Sequence, residues 1–175
     1  MHQQKITLIT LGVFDRKMLD QVAEAVQLEL KTPVITHQEH IDLHTFFDSA
    51  RKQYDGNMLL KIIESKYATN NSITIGLVSV DLFIPILTYI YGQAYLNGNA
   101  GIASLYRLGN ERYGLAANDR LLLQRLVKEI IHEIGHCIGL IHCHNDCVMQ
   151  SSTYVEDIDQ KASSFCIKCK ALVSE

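Results

Sequence analysis

The spacing of apolar residues changes its period several times along the first two thirds of the chain. Residues 5–13 are rich in Ile, Leu and Thr without a helical period, which predicts a buried strand. After Asp15, a helix-capping residue, apolar residues recur at i, i+3, i+4, i+7 and i+11. This spacing predicts a helix with one apolar stripe, formed by Leu19, Val22, Ala23, Val26 and Leu30. Pro33 ends that helix.

Strand and helix signals continue after this first pair of elements. They predict, in order, a short strand at 34–36, a loop at 37–48, a helix at 57–67, a strand at 72–80 and two strands at 88–96 and 102–108. The last two flank the turn sequence NGNAG and are candidates for a hairpin. This order predicts an α/β layered fold in which helices cover a mixed sheet.

The longest predicted helix begins at Asn118 or Asp119 and ends at Ile138. Its apolar stripe consists of Leu123, Leu126, Val127, Ile130, Ile134 and Ile138. His132 and His136 lie opposite that stripe and one turn apart, so both imidazoles can bind one metal ion. Glu133 lies on the flank, where it reaches a bound water and not the metal. The sequence HEIGH thus has the spacing of the zinc motif HExxH.

The residues after HEIGH supply a third metal ligand. Gly139 can adopt the left-handed conformation that ends a helix, and the turn brings His142 back to the same ion. Three neutral imidazoles leave a fourth position for water, whose pKa zinc lowers to about 7 while Glu133 acts as general base. HExxH alone also occurs in ordinary surface helices. Gly139 and His142 at these offsets favour a catalytic zinc site that hydrolyses peptide bonds.

Four of the five cysteines lie within the last 33 residues, as CHNDC and CIKC. Cys143 and Cys147 form one close pair, Cys166 and Cys169 the other, and eighteen residues separate the pairs. This layout predicts a closed, structural four-cysteine zinc site that supplies folding energy to a tail too small for its own core. The alternatives are free buried thiols and disulfides. Polar neighbours argue against the first and a reducing cytosol against the second.

Composition and charge narrow the function classes. A chain of 175 residues with 47 % apolar residues can bury one core. Its net charge is -3 and no Lys/Arg run is longer than two residues, so the sequence has no signature of nucleic-acid or membrane-surface binding. The apolar stretch at 75–91 is cut by Asp81 and Pro85, and residues 1–14 read as a first strand better than as a signal peptide. We expect a cytoplasmic monomer that acts on a peptide or small protein.

The motif HEIGHCIGLIHC, followed by CVM and CIKC, resembles the archaemetzincins, zincin-like peptidases of the metzincin type. The resemblance implies that His132, His136 and His142 hold a catalytic zinc, that Glu133 is the base and that Met149 forms the Met-turn beneath the site. It also implies a second, structural zinc on Cys143, Cys147, Cys166 and Cys169. The interval between Cys143 and Cys147 and that between Met149 and Cys166 are each one residue shorter than in the family pattern, which bears on the loop conformation.

The resemblance implies an α+β fold with a twisted mixed sheet, a backing helix and an active-site helix. We expect an N-terminal zincin-like subdomain at 1–142 and a small zinc-bound C-terminal subdomain at 143–175. The implied activity is that of a zinc-dependent metallopeptidase, with some family members described as aminopeptidases. The rival is a non-catalytic zinc protein that binds a peptide in the cleft, and Glu133 favours the enzyme. The substrate is expected along an edge strand at 88–96 or 102–108.

Overall fold

The structure, a computed structural model, describes residues 5–173. Its strands are β1 (Lys5–Leu11), β2 (Val34–Glu39), β3 (Phe47–Asp48), β4 (Gln53–Asp55), β5 (Ser72–Val78), β6 (Leu82–Ile84), β7 (Leu87–Ile90), β8 (Gly92–Ala94) and β9 (Ala100–Ser104). Its α-helices are α1 (Arg16–Leu30), α2 (Gly56–Tyr67), α3 (Asp119–Cys137), α4 (Val155–Gln160) and α5 (Ile167–Val173). Short 3-10 helices span Leu43–Phe46 and Asn110–Tyr113.

The first strand and helix form where the sequence predicts them. The Asp15 carboxylate accepts a hydrogen bond from the Met18 amide at 2.7 Å and so caps α1. The helix buries Leu19, Val22 and Val26 of the predicted stripe. It ends at Lys31, whose backbone is left-handed, shortly before Pro33.

The main sheet has five strands in the order β2-β1-β5-β9-β8. The first four run parallel, and β8 pairs antiparallel with β9 as the predicted hairpin. Because successive strand residues point to opposite faces, each strand feeds two cores. Leu8, Ile75 and Ala103 face α1 and α3, whereas Ile9 and Ile102 face α2. The mixed sheet between layers of helices matches the predicted fold class.

The structure also contains a second, four-stranded sheet in the order β3-β4-β6-β7, which the sequence analysis did not predict. The sequence prediction of a loop at 37–48 is wrong at both ends, because β2 continues to Glu39 and β3 begins at Phe47. The predicted strand at 88–96 is two strands: β7 lies in the small sheet, and after Tyr91 the chain enters the main sheet as β8. The segment at 102–108 is no edge, because β9 lies between β5 and β8.

The C-terminal segment packs against α3. Arg125 of α3 forms a two-pronged ion pair with Asp159, with both N···O distances 2.7 Å, and Lys128 donates to the backbone carbonyls of Ile158, Asp159 and Lys161. These contacts fix the end of α4 on α3. The division into 1–142 and 143–175 stays a prediction, and its outer ends lie outside the described residues. Within residues 5–173, no helix has the length and apolarity needed to cross a membrane.

Candidate metal centres and cleft

The helix α3 brings the first two histidines together. It begins at the Asn118 cap, whose side chain accepts from the Leu121 amide at 3.0 Å, so its start matches the prediction. His132 and His136 lie on successive turns, with their Nε2 atoms 3.1 Å apart. Any two nitrogens bound to one tetrahedral zinc ion are about 3.3 Å apart, because the Zn–N bonds are about 2.0–2.1 Å long. The spacing of these nitrogens therefore fits one shared ion.

Backbone carbonyls orient both rings. His132 Nδ1 lies 2.9 Å from the Val148 carbonyl oxygen, and His136 Nδ1 lies 2.8 Å from that of Leu140. A carbonyl can only accept, so each Nδ1 carries the proton and donates it. The Nε2 lone pairs are consequently free and directed at the common point between the rings. This is the outer-shell arrangement that metal-binding histidines use.

The environment keeps the three histidines neutral. Burial lowers the pKa of His132 well below its usual value, and the nearby Lys161 cation lowers it further. Burial is also the main cause that lowers the pKa of His136 and of His142. Only a neutral imidazole has a lone pair for a metal, so these shifts favour the ligand form near pH 7.

Gly139 turns the chain as the sequence predicts. Its φ of +96° is left-handed, and a Cβ there would collide with the Asn97 side chain, so glycine suits both conformation and space. The turn returns His142 to the helix face. One ring nitrogen from each of His132, His136 and His142 then lies within 4.8 Å of the others. His142 is exposed, whereas His132 is 6 % exposed, so the cluster opens to solvent on one side.

Glu133 is buried beside this cluster. Among the described residues, its Oε2 atom has no hydrogen-bond partner. Burial raises the pKa of Glu133 well above its usual value, and the Glu129 carboxylate raises it further, while Lys161 opposes both. The carboxylate lies against Gly92 of β8, where an added Cβ would come within 2.5 Å of Glu133 Oε1. The Glu133 carboxylate thus has one oxygen without a competing partner and borders the same cavity as His132 and His142.

A cavity of about 500 Å³ runs along this site. Two segments line it, residues 87–92, from β7 to the first residue of β8, and residues 151–154. Glu129, His132, Glu133, His142 and Lys161 also border it. The Tyr89 hydroxyl donates to the Thr153 carbonyl at 2.6 Å and so joins the two segments. Tyr154 borders the cavity but is 64 % exposed.

Sequence reasoning missed the Glu129–Lys161 ion pair in this wall. Lys161 Nζ lies 2.7 Å from Glu129 Oε1, and both side chains are buried. Glu129 had a signal in the sequence, because residues 129, 132, 133 and 136 share one helical face at i, i+3, i+4 and i+7. Lys161 lies 32 positions beyond Glu129 in the sequence, and no local pattern relates the two.

The four predicted cysteines also meet. One sulfur from each of Cys143, Cys147, Cys166 and Cys169 lies within 4.8 Å of the others, and the Cys143 and Cys166 Sγ atoms are 3.8 Å apart. Zn–S bonds of about 2.3 Å in a tetrahedron place sulfurs about 3.8 Å apart, so the donors fit zinc. Backbone hydrogen bonding, first from Cys169, lowers the pKa of the Cys166 thiol to about 6, which favours its thiolate. Burial raises the pKa of the Cys147 and Cys169 thiols, so these two require a bound cation to become thiolates.

The fifth cysteine, Met149 and three exposed histidines take ordinary structural places. Cys137 is buried, its Sγ lies 3.5 Å from the Ala100 carbonyl oxygen, and burial raises its pKa to about 12. Met149 is fully buried and contacts Gly135, between the two helix histidines. His37, His40 and His44 are exposed and belong to neither donor cluster found in residues 5–173.

Comparison with known proteins identifies the family. The profile of peptidase family M54 matches residues 11–175 of the chain. The chain belongs to peptidase family M54. An archaemetzincin from Methanocaldococcus jannaschii is 40 % identical over 124 residues, which cover 70 % of this chain and 67 % of the relative. Within this family the chain is a zinc-dependent metallopeptidase.

Solved structures of related proteins agree with the fold of this M54 peptidase. The crystal structure of an archaemetzincin from Methanopyrus kandleri superposes with a TM-score of 0.84 at 29 % identity and covers 99 % of this chain and 94 % of that one. A zinc-dependent peptidase from Methanocorpusculum labreanum gives a TM-score of 0.83 at 28 % identity, covering 96 % of this chain and 99 % of that one. The α+β layered fold is therefore that of the archaemetzincins.

Proposed function

We propose that His132, His136 and His142 hold the zinc of this metallopeptidase and that Glu133 is its general base. The observation that carries the proposal is the position of Glu133, a buried carboxylate that borders the same cavity as His132 and His142, whose ring nitrogens cluster with that of His136. Zinc bound there supplies Lewis-acid chemistry, which polarises a peptide carbonyl and makes a water molecule more acidic. A module that only binds peptides needs no such carboxylate, so the catalytic function is favoured over the binding-only alternative.

The residues of the chain have distinct tasks in this proposal. Glu133 takes a proton from the attacking water through its free Oε2 atom and gives that proton to the leaving amine. Burial, which raises the pKa of Glu133, makes its carboxylate a better proton acceptor. Val148 and Leu140 hold His132 and His136 in the ligand tautomer.

We also propose a second zinc, bound by Cys143, Cys147, Cys166 and Cys169, so that each chain carries two ions. Four thiolates close the coordination shell, which makes this zinc structural. The proposed subdomain at 143–175 depends on it, because α4 and α5 are short helices of 6 and 7 residues that gain stability chiefly from packing.

The substrate is proposed to be a peptide or small protein, bound in extended form along β8. That strand is an edge of the main sheet and borders Glu133 through Gly92, so its backbone groups can pair with a substrate of any sequence. An edge strand can bind the substrate of an aminopeptidase, which trims N-terminal residues, as well as that of an enzyme that cuts internally. We propose a monomer in the cytoplasm. The charge of -3 and the absence of basic runs support a protein without nucleic-acid or membrane-surface partners.

The proposal is tested by mass-spectrometric analysis of a mixed peptide library after incubation with zinc-loaded protein. The matched control is Glu133→Gln, with its zinc content measured first. We expect the control to bind zinc normally and to cleave about 100-fold to 10,000-fold more slowly, the usual contribution of a general base. Equal cleavage by both proteins would reject Glu133 as the base. The new termini also separate end trimming from internal cutting.

A further inference from the structure

The Glu129–Lys161 ion pair lies in the wall of the substrate cavity. The side chains of Lys161 and Glu129 are only 1 % and 5 % exposed, and both residues border the same cavity as His132 and Glu133. Any group that reaches them is shielded from bulk water. Hydrogen bonds to a charged partner are stronger in such a shielded place than in water. The pair therefore sits where it can influence what binds.

The Lys161 ammonium and the Ser152 hydroxyl have hydrogen-bond donors without acceptors. A lysine ammonium has three protons. Lys161 gives one to Glu129 Oε1 at 2.7 Å and directs another to the Gln150 carbonyl at 3.5 Å, the limit of a hydrogen bond. Ser152 borders the same cavity, and its buried hydroxyl finds no partner within residues 5–173. Buried polar groups are normally satisfied, so these donors call for a ligand that accepts.

Stability alone is a weak reason for this arrangement. Removing two charges from water costs about as much as their attraction returns, and an apolar pair of similar size is often as stable. The contacts of α3 with the end of α4 are already made by Arg125 and Lys128. A buried ion pair that borders the active-site cavity is thus better explained by what enters the cavity.

We propose that Lys161 and Ser152 form a subsite for a substrate group with acceptor oxygens, a carboxamide or a carboxylate, next to the bond that is cut. The inference rests on the proposed function and adds its substrate class. Because Glu129 neutralises Lys161, a neutral carboxamide fits as well as a carboxylate. The same chemistry reaches the subsite from an Asn or Asp side chain or from the C-terminal end of a short peptide.

The test measures binding and needs no turnover. Zinc-loaded protein is titrated calorimetrically with short peptide hydroxamates, which anchor on the zinc and differ only in the neighbouring side chain: Leu, Asn or Asp. A further pair carries Ala there and ends in either a free carboxylate or an amide. We expect Asn and Asp to bind about tenfold or more tighter than Leu, as for hydrogen bonds that involve a charged group. A tighter Ala acid than Ala amide would assign the subsite to the chain end as well.

Variants separate the subsite from a structural role. Ser152→Ala removes one donor, and the double variant Glu129→Gln/Lys161→Met removes the charge pair without leaving a lone buried charge. Lys61→Met, an exposed lysine on α2, is the matched control. Far-UV circular dichroism and zinc content confirm that each variant is folded and loaded. We expect the preference for Asn and Asp over Leu to persist in Lys61→Met, to weaken in Ser152→Ala and to vanish in the double variant.

The results that overturn the proposal differ from those that overturn the proposed function. Leu binding as tightly as Asn and Asp, or an unchanged preference in a folded double variant, would reject the subsite and leave the zinc site intact. Failure of every hydroxamate to bind zinc-loaded protein would reject the open zinc site, and the subsite with it.

Discussion

The histidine and cysteine clusters stand next to each other in sequence but differ in how the chain builds them. Two of the three histidines lie on α3, a helix of 19 residues with a side-chain cap and an extensively buried face. The four cysteines come from loops and from the start of α5. The histidine cluster opens at the exposed His142, whereas Cys147 and Cys169 are buried.

This difference predicts which of the two clusters needs a bound metal ion for its folding. The positions of His132 and His136 follow from a helix that is stabilised by its own core, so we infer that this site is preorganised and that its proposed zinc adds function. The cysteine segment has little core apart from its contact with α3, so we infer that its proposed zinc adds stability. Four predictions test the distinction, from the largest expected effect to the smallest.

The largest effect is expected at the cysteine site. Cys169→Ser should lower the free energy of unfolding by at least about 5 kcal/mol, because structural zinc contributes about 10–16 kcal/mol of apparent binding energy. Urea unfolding followed by circular dichroism measures this loss. Cys137→Ser, a buried cysteine outside the cluster, controls for the loss of a thiol and should cost less. Equal losses in the two variants would contradict a structural zinc.

A smaller effect, on metal binding alone, is expected at the histidine site. His142→Ala should weaken zinc binding there by more than about 100-fold, more than the loss of an outer-shell partner. Its unfolding free energy in the presence of chelator should stay close to that of the parent, because His142 is exposed. Competition with a chromophoric chelator measures the affinity. Because chelator removes metal from both clusters, the two proteins are compared under the same chelator. A His142→Ala protein that is then much less stable than the parent would show that the helix site is not preorganised.

Overpacking the core beneath the histidines should lower the free energy of unfolding by an intermediate amount. Gly135→Ala places a methyl group against Met149 and within 3.1 Å of Phe165, so we expect a loss of about 1–3 kcal/mol, as for other overpacked cores. Gly109→Ala meets only the mobile end of Glu111 and serves as control. Thermal unfolding checks both variants. A Gly135→Ala protein as stable as the control would show that the helix and Met149 move apart easily.

The smallest effect is expected at the cap of α4, between the two cysteine pairs. The Asp157 carboxylate accepts from the Thr153 and Tyr154 amides at 2.9 and 2.8 Å, and these bonds lower its pKa below the usual value of an aspartate. Asp157→Ala should cost about 1 kcal/mol at pH 7. Because the folded pKa is depressed, this contribution is complete above the unfolded pKa and is lost as the pH falls through the folded pKa.

Acid titration of stability checks the cap. The difference between the parent and Asp157→Ala should shrink as the pH falls below about 4. Glu156→Ala, a neighbour in the same first turn, is the control and should show a smaller difference at pH 7. A difference that does not change with pH would exclude the carboxylate as its source.

The parts of the molecule that were predictable from sequence are those with short-range causes. The start of α3, the turn at Gly139 and both donor clusters follow from spacings within a few residues or from close cysteine pairs. The small sheet was not predicted, because its strands of two to four residues are too short to show a period. The Glu129–Lys161 pair and the cavity depend on contacts between distant segments, which no local pattern encodes.

Native mass spectrometry of zinc-loaded protein tests the central claim of two different zinc sites most directly. The parent should carry two zinc ions, His142→Ala with limited zinc should retain one, and Cys169→Ser should lose its structural ion and show the broad charge distribution of a partly unfolded chain. A parent with one zinc ion, or a Cys169→Ser protein that keeps two ions and a compact charge distribution, would contradict the account.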